Sequence, residues 1–447
     1  MYVKNQKFLV LGVSKSGFAA GNYILDNGGI CYFYEEHVND KISESLNILM
    51  SRGAINAIDS VDEVLNTVDI LIVSPGVPIN HEVAVKAKKL GKRIIGEFEF
   101  GYLESTPKFI AVTGTNGKTT TVNMIYDIIN SAGRDCRLVG NVGVPVTDEL
   151  KNFDKNTLFV SEISSFQLET VDYFCPHVAC VLNISPDHLE RHYSMDNYVF
   201  LKRRILSSLT KSEYAVLNYD DEIVKSFSVT SNAQVIWVSI REKCKGAYYK
   251  DGKLFYFDDE ILSVNELPFH GIHNVYNALF AIAVAKIFGF DNNIILQGLK
   301  SFKGVRHRIE LIAEKDGVKY YDDSKATNTA STITAIEGIS GGTVLILGGS
   351  EKGENYNELF NKIKHKNVKH VVLTGASKFN MLKSANEVGY SNISFTYNFE
   401  NAVKIAVMLA ESGDSVILSP ACASFDCFKN FEERGNEFCR IVKELTC

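Results

Sequence analysis

The sequence contains no Cys-x-x-Cys pair, although it has nine cysteines. They stand at Cys31, Cys136, Cys175, Cys180, Cys244, Cys422, Cys427, Cys439 and Cys447, an odd number at irregular spacings that signals neither a zinc site nor a disulfide framework. Free thiols fit a reducing compartment, so a cytoplasmic location is expected. Basic residues are not in excess: 47 Lys and Arg face 53 Asp and Glu, a formal net charge of -6. There is therefore no electrostatic ground for a nucleic-acid partner or an anionic membrane, and an anionic ligand needs a local basic site. The longest apolar runs, such as 280–287, fall far short of the roughly 20 residues of a membrane span, so no membrane insertion is expected. The opening, Met1 to Val13, runs directly into an apolar strand and lacks the pattern of a secretion signal. Internal repeats and low-complexity segments are missing too, which excludes a solenoid or a disordered array.

What is present is an ordinary globular composition, 45% apolar and 22% charged, over 447 residues. At roughly 150 residues per domain, that length suggests about three domains. Short apolar strands alternate with amphipathic helices nearly throughout, the pattern of α/β parallel sheets covered by helices. A first unit holds strands at 8–13, 30–34 and 69–73, with a helix from Gly17 to Asn27, and closes with Ile94 and Ile95. A second opens at 109–112 and carries strands near 158–161, 178–183 and 214–218. It adds a hairpin centred on Asp251-Gly252 and a helix over 275–288. A third, from about Ser301, begins with a hairpin turning at Asp316-Gly317 and continues with strands at 343–347, 370–373 and 415–418. The expected domains are 1–100, 101–300 and 301–447.

The most informative segment is Thr113-Gly114-Thr115-Asn116-Gly117-Lys118-Thr119-Thr120, between a strand and a helix. Glycines let backbone N–H groups turn inward, and the helix N-terminus adds partial positive charge, so the segment reads as a phosphate loop. Lys118 would reach the β and γ phosphates and Thr119 a Mg²⁺ ion. The loop is shorter than the full motif, because Val112 stands where the first glycine belongs. Glu162 follows the next strand, where a carboxylate faces the same crevice and offers a hard oxygen to Mg²⁺. His188, after a further strand, fits a ligand and an exposed histidine alike. Lys202, in Phe200-Leu201-Lys202-Arg203-Arg204, reads from the residues alone as a basic face at the start of a helix.

Near the N-terminus, Gly12 and Gly17 have the outer spacing of a dinucleotide loop, but Ser14 replaces the middle glycine. Glu35 ends the following strand at about the distance expected of a ribose-binding acid. A nicotinamide-type fold and a fold end that grips another nucleotide both remain open on these residues.

Thr113 to Thr120, Glu162 to Glu169 and Asn183 to His192 resemble the central ATP-binding domain of the Mur ligases, a domain shared with folylpolyglutamate synthetases. The resemblance extends over the whole chain. The runs 321–328 and 418–435, with Ser74-Pro75-Gly76, resemble the D-glutamate-adding branch, and the Asp-Asn-Pro-Arg signature of the diaminopimelate- or lysine-adding relative is absent. The resemblance implies a Rossmann-like N-terminal domain, a central ATPase-like domain and a Rossmann-like C-terminal domain. It implies an ATP- and Mg²⁺-dependent ligase, monomeric, acting on UDP-N-acetylmuramoyl-L-alanine and D-glutamate through an acyl phosphate.

It also implies roles residue by residue. Glu162 and His188 would hold Mg²⁺ with Thr119. Lys202 would be carbamylated by CO₂ and support a second ion, which requires a neutral, desolvated amine. Gly114 to Thr121 (Gly114, Thr115, Asn116, Gly117, Lys118, Thr119, Thr120, Thr121) would hold ATP together with Asn274, Asn277, Arg308 and Asp323. Gly12, Ser14, Lys15, Ser16, Glu35, Ser74, Gly76 and Asn141 would bind the UDP substrate. Thr327, Lys352, Ser424, Phe425 and Phe431 would surround D-glutamate, with Lys325 beside the reacting phosphate. Lys118, His188, Lys202 and Lys325 would be catalytic.

Overall fold

The computed structural model describes residues 3–446 except 152, 155, 270, 340 and 352–354. Its frame is three sheets in chain order, with helices in the connections. The first sheet is five parallel strands, β1 (Lys7–Leu11), β2 (Ile30–Tyr34), β3 (Ile55–Asn56), β4 (Ile70–Val73) and β5 (Arg93–Gly96), in the order β3-β2-β1-β4-β5. Its two faces are covered by separate apolar clusters, one around Phe8, Val10, Phe33 and Phe100, the other around Leu9, Leu11, Leu71 and Ala84. Strands buried on both sides must be apolar throughout, which is why Ile70–Val73 reads ILIV.

The second sheet has nine strands: β6 (Lys108–Thr113), β7 (Cys136–Gly140), β8 (Leu158–Glu162), β9 (Val178–Val181), β10 (Tyr214–Asn218), β11 (Gln234–Ser239), β12 (Gly246–Lys250), β13 (Lys253–Tyr256) and β14 (Asp259–Ser263). They lie in the order β14-β13-β12-β11-β10-β9-β6-β8-β7, all running the same way except β13, which is antiparallel to both β12 and β14. The Asp251-Gly252 turn uses two residues at positive φ, which is how a tight hairpin matches strand twist. The core beside β6 is aromatic, with Phe98, Phe109, Phe159 and Phe174 in edge-to-face contact. Phe98 belongs to the helix Glu97–Glu104, whose Phe100 lies in the first sheet's core, so one helix is built into both cores. The first two sheets accordingly form one compact unit, residues 1–268 with 274–302.

The third sheet is β15 (Glu310–Lys315), β16 (Val318–Asp322), β17 (Thr343–Leu347), β18 (Val368–Leu373), β19 (Ile393–Phe395) and β20 (Ser415–Leu418). Its order is β15-β16-β20-β17-β18-β19, with only β15 antiparallel. It belongs to a second unit, residues 269–273 with 303–447.

Three expectations need correction. Lys202 lies in the last turn of the helix Met195–Arg203, because Ser194 accepts from the Asn197 backbone and starts that helix earlier. Glu162 is the final residue of β8. The helix expected at 275–288 begins at Ile272 and ends at Ile287. The described cysteines are free thiols.

Candidate active site

In each open parallel sheet, the strand order reverses at one point, and the loops beyond the strand ends there form a crevice. In the second sheet that point lies between β6 and β9. The phosphate loop leaves β6 and runs into the helix Lys118–Ser131. Gly114 and Gly117 have φ of +147° and +88°. A Cβ on Gly117 would sit 2.6 Å from Asn277 Oδ1, so the loop needs glycine for both conformation and room.

The segment after β9 braces this loop. Asn183 Oδ1 accepts from the Asn116 backbone at 2.8 Å and its Nδ2 donates back to Asn116 O at 3.0 Å. Ser185 N donates to Thr115 Oγ1, which also lies 3.0 Å from Tyr198 OH. Lys118 Nζ donates to the carbonyls of Gly114 and Thr115 at 2.9 and 2.6 Å, holding its charge over the loop's own rim. Thr121 Oγ1 donates to Asn277 Oδ1 at 3.2 Å. Asn274 stands one turn earlier on the helix that carries Asn277.

Glu162 is the hub on the opposite side. It is buried, and its two oxygens accept from Thr119 Oγ1 and Asn141 Nδ2, each at 2.7 Å. The hydroxyl and carboxylate beside a phosphate loop are hard oxygen donors of the kind Mg²⁺ takes, so the residues fit the ion. Lys202 Nζ is buried and donates to Thr113 Oγ1 at 3.1 Å and Gly114 O at 2.9 Å, both neutral acceptors. Burial, and after it the Lys118 charge, hold its pKa well below the usual lysine range. A neutral amine is the form that reacts with CO₂, so the setting fits a carbamate. His188 takes the left-handed region at φ +52° and is partly exposed. Its ring lies 5.0 Å from that of Phe166, with Glu190 3.4 Å from Nδ1.

The first sheet reverses between β1 and β4, and the candidate UDP residues sit there. Ser74 Oγ donates to Gly12 O at 2.6 Å, and Glu35 accepts from Val13 N at 2.7 Å. Gly17 is required by close approach, since a Cβ would fall 1.9 Å from Gly12 O. Ser14 stands at the N-terminal boundary of the helix Lys15–Asp26 without a side-chain capping bond, and Ser16 lies in its first turn. Lys15 Nζ reaches Gly143 O at 2.6 Å, joining this end to the Asn141 loop. Gly76 has open space where a side chain would be.

In the second unit, Asp323 is buried, accepts from Ser419 Oγ at 2.6 Å and from Ile309 N at 3.3 Å, and feels the charge of Arg308. Burial outweighs these partners and raises its pKa from 3.8 to about 7. Between those values the folded chain holds a proton that the unfolded chain releases. Stability from this group is full below the unfolded value and is lost as pH rises through about 7. Asp323→Asn should therefore melt higher than the parent protein above pH 7 and show a flatter melting temperature between pH 5 and 8, read by scanning fluorimetry.

Lys325 Nζ lies 5.4 Å above the Phe431 ring, and Thr327 N donates to Lys325 O at 3.0 Å. Ser424 is buried, whereas Phe425 is 73% exposed. Lys352 lies outside the described residues. The residue that holds these runs together is Arg434, which was not singled out from the sequence. Fully buried, it donates to Ser324 O and Cys422 O at 2.9 and 3.0 Å, to Ala423 O at 3.3 Å, and to Ser324 Oγ at 2.9 Å. Asn183 was also unassigned, although its place just beyond a strand end was a signal for a loop brace.

A glycine loop on a helix N-terminus, a lysine over its rim and a carboxylate on its hydroxyl serve phosphoryl transfer from a nucleoside triphosphate, and the chain falls in the phosphate-loop class of enzymes. Residues 112–285 match the Mur ligase middle domain and residues 307–422 the Mur ligase glutamate ligase domain. The chain is 40% identical over 456 residues to the UDP-N-acetylmuramoylalanine–D-glutamate ligase of Clostridioides difficile (strain 630), covering all of both proteins. It is 38% identical over 458 residues to the enzyme of that name from Caldicellulosiruptor bescii, covering 100% of this chain and 99% of the relative. This chain therefore belongs to the Mur ligase family. The fold agrees. The MurC UDP-N-acetylmuramate-alanine ligase of Thermotoga maritima superposes with a TM-score of 0.64 at 17% identity, covering 99% of this chain and 100% of that one. MurF ligase of the same organism, solved with ADP, gives 0.61 at 16% identity over 99% and 96%.

Proposed function

We propose that this chain is the ATP-dependent ligase that joins D-glutamate to UDP-N-acetylmuramoyl-L-alanine in peptidoglycan precursor synthesis. The observation that carries the reading is the pairing of Thr119 and Asn141 on the two oxygens of Glu162. It sets the phosphate loop and the Asn141 loop on one carboxylate. Full-length likeness to ligases of that name supports the choice of substrates. Each sheet corresponds to one domain, with boundaries at 1–100, 101–300 and 301–447.

Attack of the L-alanine carboxylate on the terminal phosphate of ATP, which forms the acyl phosphate and releases ADP, brings two anions together. Lys118 and the N–H groups of the loop neutralise that repulsion and align the transferred group. Thr119, Glu162 and His188 would hold Mg²⁺ and a carbamylated Lys202 would support a second ion, and such ions would supply further charge neutralisation. Asn141 orients the UDP substrate, with the Gly12–Ser16 and Ser74–Gly76 loops on its nucleotide end. From the family likeness, Asn274 and, in the second unit, Arg308 and Asp323 would bind the nucleotide of ATP. The amine of D-glutamate then attacks the acyl phosphate, forming the amide as phosphate leaves. From the family likeness, Lys325 would act on the phosphate, and Thr327, Ser424, Phe425 and Phe431, with Lys352, would recognise the amino acid.

No helix among the described residues is long and apolar enough to cross a membrane. The substrates are small molecules, and a cytoplasmic monomer suffices for the reaction. Phosphate release from ATP should require both UDP-N-acetylmuramoyl-L-alanine and D-glutamate, with L-glutamate giving only background. Equal turnover with L-glutamate, or with a longer UDP-peptide as acceptor, would remove this assignment.

A further inference from the structure

Arg191 joins three parts of the site that the reaction scheme leaves separate. Its guanidinium grips Glu169 with two bonds, Nε to Oε1 at 3.2 Å and Nη2 to Oε2 at 2.7 Å. The same Nη2 donates to Val77 O at 3.1 Å. The guanidinium carbon lies 4.8 Å from the centre of the Phe166 ring. That ring is also 5.0 Å from the ring of His188. The side chains of Arg191 and Glu169 are only 15% and 9% exposed, so the pair is shielded and its geometry is fixed on several sides.

Val77 is the far end of the turn that carries Ser74 and Gly76, closed by Val77 N donating to Ser74 O at 2.9 Å. Its Cγ2 lies 2.8 Å from where a Cβ on Gly12 would be, so it packs directly under the first glycine loop. Ser74 Oγ in turn donates to Gly12 O. A second bond, from Asn80 Nδ2 to Tyr193 OH at 3.0 Å, runs alongside. One side chain next to His188 thus fixes both loops at the switch point of the first sheet.

We infer that Arg191 is a positioning residue for the UDP-bearing substrate: anchored by Glu169, it holds the Ser74–Val77 turn in register with the His188 segment. The inference rests on the reading of those loops as the UDP site. Arginine suits the task because its planar fork meets a carboxylate with two donors and still offers a third to a carbonyl. A lysine ammonium keeps the charge but cannot span both.

The test uses full-length Arg191→Gln and Arg191→Lys. Binding of UDP-N-acetylmuramoyl-L-alanine without ATP is measured by titration calorimetry, and KM for each of the three substrates by phosphate release. Both variants should bind the UDP substrate about tenfold more weakly, with KM for it rising in parallel, since a charge-assisted bond is lost. KM for ATP and kcat should stay within about twofold. Arg191→Lys keeps the cation over Phe166 and provides the readout even if the glutamine variant folds poorly. Unchanged affinity in both variants overturns the inference, as does a uniform loss in kcat and all three KM values. If the parent protein itself fails to bind the UDP substrate, the assignment of that site falls and this inference falls with it.

Discussion

Lys118→Ala should lower turnover by about a thousandfold or more while leaving the protein folded. In the structure its ammonium is held by two carbonyls of its own loop, Gly114 O and Thr115 O. A cation on the rim of a phosphate loop is pre-aimed at the charge that grows on the transferred group. Comparable clamps are worth three or more powers of ten, roughly 4 kcal/mol of barrier. The same amine contributes little to stability, since exchanging its bonds to these carbonyls for water costs only about 1 kcal/mol each. The variant should therefore melt within a few degrees of the parent, bind the UDP substrate normally and release almost no phosphate. Turnover within tenfold of the parent would mean that the phosphates lie elsewhere.

Lys202 should give effects of opposite sign on stability and activity. The folded chain holds this amine with a lowered pKa, so between that value and the ordinary lysine range the unfolded chain binds more protons. Stability in the absence of CO₂ should rise with pH across that window. Lys202→Met removes a buried amine that is costly to charge and whose acceptors are neutral, so the variant should be at least as stable as the parent near neutrality and lack this slope. Activity should fall about a hundredfold or more, because the group facing Thr113 and Gly114 is gone. Short carboxylates should restore part of the activity of Lys202→Ala, and ¹³C-bicarbonate should give the parent a carbamate resonance that the variants lack. A fully active Lys202→Ala would end its assignment to the metal site.

The buried central strands were legible because burial on both faces demands unbroken apolar runs, as in Thr343–Leu347 and Val178–Val181. Several strands at sheet edges were not. Ile55–Asn56 and Ile393–Phe395 are two and three residues long and owe their conformation to one neighbour. Cys136–Gly140 carries Arg137 as its second residue, and Gln234–Ser239, inside the sheet, was passed over despite its β-branched run. The phosphate loop and Glu162 could be read locally, since a strand end followed by glycines or an acid has a fixed geometric meaning. Lys202 could not. Its burial comes from Thr113 and Gly114, nearly ninety residues earlier in the chain. Asn183 and Arg191 escaped for the same reason: each acts on backbone that only the fold brings near.

Arg434 bears on how the run 418–435 can be exchanged between relatives. Its guanidinium staples two stretches almost a hundred residues apart, Ser324 on one side and Cys422 and Ala423 on the other. Neither stretch is an independent cassette. A chimera that imports one loop without a matching arginine strands three inward-facing carbonyls, so swapped specificity must travel with the whole stapled block.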